Sequence, residues 1–152
     1  HKIQLSEIIS EAFAFCHQRF ASHKVSLKMA DIPMDLEMAC RSSQLSQVLV
    51  NLLNNGIDAT ADLSDRWVKL DVQDLGEVVV ISVTDSGAGI SKDIQEKIFE
   101  PFFTTKDVGM GTGLGLSICA GIIKAHYGDI SIDQESPNTK FTLRIPKNLD
   151  KI

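Results

Sequence analysis

Several absences narrow the field before any motif is read. The three cysteines, Cys16, Cys40 and Cys119, are odd in number and widely spaced. No Cys-x-x-Cys pair or neighbouring histidine pattern accompanies them, which excludes a disulfide framework or a zinc module and points to reduced thiols in a cytoplasmic protein. Cys16 falls on an apolar helical stripe, where a free thiol packs as a small hydrophobe. Positive charge is not in excess: 15 Lys and Arg stand against 20 Asp and Glu, a net charge of -5. Such a balance repels a phosphate backbone, so nucleic acid is not an expected partner. No apolar run approaches a membrane span and no signal-peptide pattern opens the chain. The expectation is no direct membrane contact by this unit, whatever anchors a longer protein. Repeats, low-complexity tracts and linkers are also missing. The 152 residues, 43% hydrophobic and 23% charged, are therefore expected to form one domain, 1–152, large enough to bury its own core.

What is present reads as an alternation of helices and strands. After an extended start at Lys2 to Gln4, Leu5, Ile8, Ile9, Ala12, Phe13, Cys16 and Phe20 recur with helical spacing, and Ser6 is placed to cap that helix. Val25, Leu27 and Met29, then Leu36 and Met38, alternate with polar residues on either side of a turn at Asp31 to Pro33 and predict two strands. Ser43 to Ala61 is helical again, with Leu45, Val48, Leu49, Leu52, Leu53 and Ile57 inward. Val68, Leu70 and Val72, a turn at Asp74 to Glu77, and the β-branched run Val78 to Val83 predict a hairpin. A short helix around Ile94 to Phe99, an irregular stretch from Pro101 to Thr112, and a helix from Gly113 to about Lys124 follow. Two closing strands at Ile130–Ile132 and Phe141–Ile145 are separated by Ser136-Pro137-Asn138. The fold class is α+β, a two-layer sandwich of a mixed, mostly antiparallel sheet with helices on one face.

Three segments carry chemistry. Gln47, Asn51, Asn55 and Asp58 are spaced by four, four and three, so they share one face of the second helix. A row of amides offers neutral hard oxygens to Mg²⁺ beside nucleotide phosphates, or is simply a solvated polar face. Asp85-Ser86-Gly87-Ala88-Gly89-Ile90 places a carboxylate at the end of a hydrophobic strand, with glycines that let the backbone turn beneath a ligand. An ionised carboxylate only accepts hydrogen bonds, so Asp85 would take adenine's amine and reject guanine's carbonyl; as a lone hexapeptide it is equally an ordinary turn. Gly109, Gly111, Gly113 and Gly115 alternate through Met110, Thr112 and Leu114 directly before an apolar helix. Bare backbone N–H groups and a positive dipole end suit phosphate oxygens there. The pattern is neither a Walker A loop nor a Rossmann fingerprint.

In this order the three segments resemble the N, G1 and G2 boxes of the sensor histidine kinases and of the wider group that includes gyrase, Hsp90 and MutL. Phe99-Glu100-Pro101-Phe102-Phe103-Thr104-Thr105-Lys106 resembles the F box between them. The resemblance runs from about Leu5 to Pro146. It implies a Bergerat-type ATP-binding fold in which ATP, with Mg²⁺, lies between the helices under a lid spanning Phe103 to Thr112. It further implies Asn55 as the Mg²⁺ ligand, Asp85 at the adenine amine, and Gly111, Gly113, Leu114 and Gly115 at the phosphates. Gly87, Gly89, Ile90, Asp58, Gly109, Thr112 and Thr105 join them as nucleotide-binding candidates, and Lys106 is either a γ-phosphate contact or a solvated loop lysine. Thr139 matches the threonine of a closing Gly-Thr-x-Phe element that supports adenine, with Asn138 in place of the glycine.

Two departures bear on function. ATPases of the group carry a glutamate where this chain has Asn51, and an amide cannot take a proton from water as a carboxylate does. Asn51 and Asn55 are therefore the candidate catalytic residues of a phosphotransferase. Gly56 stands where alanine is commoner in the family and costs a helix about 1 kcal/mol; the sequence offers no reason for it. A histidine kinase also needs a phosphoacceptor histidine followed by an acidic residue, on a dimerising hairpin. His1, His17, His23 and His126 all lack that context, so the acceptor is expected on a separate histidine-containing dimerisation domain, with a response regulator receiver domain downstream. The alternatives are an ATPase module driving conformational change and a degenerate interaction domain.

Overall fold

The computed structural model describes residues 2–30, 32–103 and 115–148. Its elements run β1 (Lys2–Gln4), α1 (Leu5–Ser22), β2 (Ser26–Met29), β3 (Glu37–Ala39), α2 (Ser42–Ala59), β4 (Trp67–Asp74), β5 (Val78–Asp85), α3 (Lys92–Gln95), α4 (Gly115–Ala125), β6 (Asp129–Ile132) and β7 (Lys140–Pro146). Five strands form the main sheet in the order β2-β4-β5-β7-β6. Only β2 and β4 pair in parallel; the other neighbours are antiparallel. This is the expected mixed, mostly antiparallel sandwich.

Strand alternation decides which face is covered. Val68, Leu70 and Val72 of β4, Val79, Ile81 and Val83 of β5, and Phe141, Leu143 and Ile145 of β7 share one face and are buried. Against them pack Ile8, Ile9, Ala12 and Cys16 of α1, Leu45, Leu49, Leu52 and Leu53 of α2, and Cys119 and Ile123 of α4, in one continuous core. The opposite face carries Lys69 and Asp71, an ion pair at 3.6 Å, and Lys28 lying over the Trp67 ring at 4.9 Å. The β4–β5 turn closes as expected. Gly76 takes φ +95, a conformation open to glycine without strain, and its N–H donates to Asp74 Oδ1 at 2.9 Å.

Some expectations need correction. Ser6 does not cap α1: the capping position is Gln4, without a side-chain bond, and Ser6 lies inside the first turn with its Oγ donating to the Met34 carbonyl at 3.4 Å. The pairing of β1 with β3 in a separate two-stranded sheet supplies the entry geometry that a cap would otherwise provide. Leu36 belongs to the turn before β3 rather than to the strand. The helix expected around Ile94 to Phe99 is one turn, Lys92–Gln95, followed by further turns. Among the described residues no helix is long and apolar enough to cross a membrane, and all three cysteines are free, Cys16 and Cys119 being buried.

Candidate functional site

The site is assembled where α2 crosses the sheet beside the end of β5. An apolar stripe along one side of α2 fixes its roll, with Leu45, Val48, Leu49, Leu52, Leu53 and Ile57 all buried. The opposite side, bearing Asn51, Asn54, Asn55 and Asp58, stays half-buried. Gly56 allows the crossing. A Cβ there would stand 2.8 Å from Val68 Cγ2 and 3.5 Å from Asp85 Cβ, closer to the valine than side chains pack. The glycine that looked like a defect in the helix is the point at which α2 comes against β4 and the Asp85 end of β5.

Asp85 ends β5 and is only 3% exposed. Its carboxylate oxygen Oδ1 accepts the Gly87 N–H at 2.7 Å. Burial pushes its pKa up to about 6, against the opposing effect of that hydrogen bond. A buried carboxylate bonded to a backbone amide through one oxygen retains acceptor capacity suited to an amino group. The turn that follows is held on all sides. The Asp85 N–H donates to the Thr139 carbonyl at 2.9 Å and the Thr139 N–H to the Gly87 carbonyl at 3.2 Å. Thr139 Oγ1 accepts the Gly89 N–H at 3.2 Å, which leaves the hydroxyl proton to donate elsewhere. Gly87 is required sterically, since a Cβ would meet Asp85 Oδ1 at 2.7 Å and Thr139 Oγ1 at 3.2 Å; Gly89 is required conformationally, at φ +97. Ile90 packs against the core.

Three further side chains complete the frame. Asn138, which replaces a family glycine, donates through Nδ2 to the Gly87 carbonyl at 3.2 Å. Gln95 Nε2 donates to the Ile90 carbonyl at 2.7 Å. Phe99 stacks edge-on against Phe141, centroids 6.3 Å apart, anchoring the F-box segment to β7. Gln95 gave no sequence signal, and Asn138 showed only as a departure from the glycine of the closing element, because a polar side chain that braces a distant carbonyl resembles any loop residue until the chain folds.

On the α4 side, Asn51 Nδ2 donates to the Gly115 carbonyl at 3.5 Å, the outer limit of a hydrogen bond. The Cys119 thiol is pushed up to about 11 by burial, with the Asn51 amide opposing that rise. Asp58 is paired with Arg19 of α1 at 2.8 Å. Asp85, Gly87, Gly89 and Thr139 are thus joined through the β5 turn, with Gly56 of α2 against Asp85 and Asn51 reaching Gly115 at the start of α4; Asn55 and Asp58 stay half-buried on the polar side of α2, and Ile90 packs against the core. Thr105, Lys106, Gly109, Gly111, Thr112, Gly113 and Leu114 lie outside the described residues. Among the described residues no cluster of three or more acidic, histidine or cysteine side chains is arranged to hold a metal. The donor set suits instead a hard cation held largely by water and a ligand's phosphates, for which one amide oxygen such as that of Asn55 is enough.

Comparison with known proteins gives concordant matches. Residues 40–149 match the family model described as histidine kinase-, DNA gyrase B-, and HSP90-like ATPase. The sensor histidine kinase ZraS of Escherichia coli is 34% identical over 150 residues, covering 98% of this chain and 31% of that protein. The solved catalytic domain of histidine kinase ThkA, in a nucleotide-free form, is 34% identical with TM-score 0.89 and covers 100% of this chain and 98% of that one. A second ThkA structure, in complex with the response regulator protein TrrA, is 31% identical with TM-score 0.85, covering 100% of this chain and 43% of that one. The chain spans less than a third of the length of the curated relatives it matches.

Proposed function

Because the chain belongs to the histidine kinase-, DNA gyrase B- and HSP90-like ATPase family, and within it to the histidine kinase catalytic domains, we propose that it binds Mg²⁺-ATP and donates the γ-phosphate to a histidine on a separate dimerisation domain. The observation that supports this reading is the buried Asp85 carboxylate at the end of β5, 3% exposed, with α2 coming against it at Gly56. Asp85 is the acceptor for adenine's amino group, Thr139 has a hydroxyl proton to donate to the ring edge, and Gly87 and Gly89 let the backbone pass beneath the base. Asn55 holds Mg²⁺ through its amide oxygen; the ion, when bound, neutralises phosphate charge. Asn51 lacks the basicity to activate water, which favours transfer over hydrolysis. Thr105, Lys106, Gly109, Gly111, Thr112, Gly113, Leu114 and Gly115 are proposed as the phosphate-side contacts.

We further propose that residues 1–152 act as one catalytic domain in the cytoplasm, alongside a phosphoacceptor hairpin and a response regulator receiver domain. Calorimetric titration with ATP and ADP, with and without Mg²⁺, tests the core of the reading. Binding that Asp85→Asn abolishes is expected; no heat with either nucleotide, or affinity unchanged in that variant, refutes it.

A further inference from the structure

The polar face of α2 holds a charge that does not suit a nucleotide triphosphate. At 3.6 residues per turn, Asn51, Asn55 and Asp58 fall within roughly 60° of one another around the helix. Asp58 therefore shares the side from which Asn55 is proposed to address the phosphates, and an uncompensated carboxylate there would repel them. Compensation comes from another element. Arg19, on the last turn of α1, donates from Nη2 to Asp58 Oδ1 at 2.8 Å and from Nη1 to Asn54 Oδ1 at 3.0 Å. The Arg19 and Asp58 side chains are 38% and 32% exposed, so the pair sits at the open side of the helix and not in the core.

An interhelical clip is the simpler reading, and it accounts poorly for the arrangement. The helices are already joined through the continuous core that includes Cys16, Phe20, Leu53 and Ile57, and a half-exposed ion pair adds little to such packing. What the two bonds do achieve is orientation. A guanidinium is planar and carries five N–H donors in a fixed fork. One bond from each terminal nitrogen fixes that plane across Asn54 and Asp58, at the flank of the polar face that carries Asn51 and Asn55, with further donors in the same plane for an anion.

We propose that Arg19 is a ligand of the nucleotide phosphates, aimed along α2 by Asp58 and Asn54, so that bound phosphate meets a cation in place of a carboxylate. This rests on the nucleotide reading above. The test compares ATP, ADP and adenosine binding by calorimetry, using competition for the weakest ligand, in the parent chain, Arg19→Gln and Asp58→Asn, with melting curves for each. Arg19→Gln is expected to weaken ATP and ADP at least tenfold while adenosine changes less than twofold. Asp58→Asn keeps an oxygen for Arg19 and removes the repelling charge, so ATP affinity is expected to tighten; on this proposal Asp58 acts on the nucleotide only through Arg19. Equal losses for ATP and adenosine, or parallel losses in the two variants, are the signature of a structural clip and overturn the proposal. If Arg19→Gln fails to fold, Arg19→Lys carries the comparison. It keeps the charge without the fork, so a several-fold loss confined to the phosphorylated ligands supports the proposal and unchanged ATP binding overturns it. A cooperatively melting parent chain that binds no ATP overturns the nucleotide reading and this inference with it.

Discussion

At the scale of single residues, Asp85 dominates what can be measured. Its carboxyl is raised from 3.8 to about 6, mainly by burial. A raised folded-state pKa means that the folded chain holds the proton more tightly than the unfolded chain. The stabilisation is therefore complete below about pH 4 and is lost as pH rises through 6. The tighter hold on that proton is equivalent to about 3 kcal/mol at most. Asp85→Asn, which needs no proton to be neutral, is expected to melt above the parent at pH 7.5 when no nucleotide is added, with the gap closing by pH 4. Thermal melts across that range check it, and a gap that does not change with pH would remove burial as the cause. Because the ionised carboxylate is the better acceptor, ATP affinity of the parent is expected to decline as pH falls below 6. Gly87→Ala should weaken nucleotide binding more than tenfold, since its methyl would displace the Asp85 carboxylate and Thr139 hydroxyl that it meets at 2.7 and 3.2 Å; calorimetry reads this directly.

Between elements, the contact of α2 with β4 is the sensitive one. Alanine at position 56 improves helix propensity by about 1 kcal/mol, yet its methyl meets Val68 Cγ2 at 2.8 Å. The clash is expected to win, lowering both melting temperature and nucleotide affinity. Val68→Ala removes the obstructing methyls and, combined with Gly56→Ala, should recover most of the loss, a coupling of about 1 kcal/mol or more; simple additivity in this double-mutant cycle would show that the glycine serves another purpose. A second junction involves His126, which is 1% exposed. Its Nε2 accepts the Arg41 N–H at 3.1 Å and its Nδ1 donates to the Ile122 carbonyl at 2.8 Å. The ring thus ties the residue before α2 to the end of α4. His126→Ala leaves a cavity and an unpartnered N–H, and should cost about 2–4 kcal/mol in denaturant unfolding. The same two bonds explain why this histidine belongs to the framework and not among phosphoacceptor candidates.

For the molecule as a whole, the proposed nucleotide site, with an amide at Asn51 where a general base would have to be a carboxylate, leads to a kinetic expectation. The isolated chain should bind ATP with turnover near background, and label from γ-phosphate should appear on protein only when a histidine-bearing hairpin is added. Radiolabel transfer measured beside phosphate release distinguishes this from an ATPase, for which steady turnover without the hairpin would be the evidence. Much of this was legible in the order of residues. Helical and strand periods mark α1, α2 and the β4–β5 hairpin because local apolar spacing is what burial acts on. The N, G1 and F segments stand out in the sequence because glycines, amides, a strand-end carboxylate and paired aromatics recur in them at fixed local spacing. Contacts between distant segments were not legible. Arg19 on Asp58, Asn138 on the Gly87 carbonyl, Gln95 on the Ile90 carbonyl, His126 on Arg41 and Gly56 under Val68 each join positions whose separation along the chain carries no period. The sequence by itself determined the classes of element and the family to which the chain belongs, through local spacing and residue chemistry. The tertiary structure alone decided which side chains brace the site and why a glycine interrupts its central helix, because those depend on the distance at which packed layers come to rest.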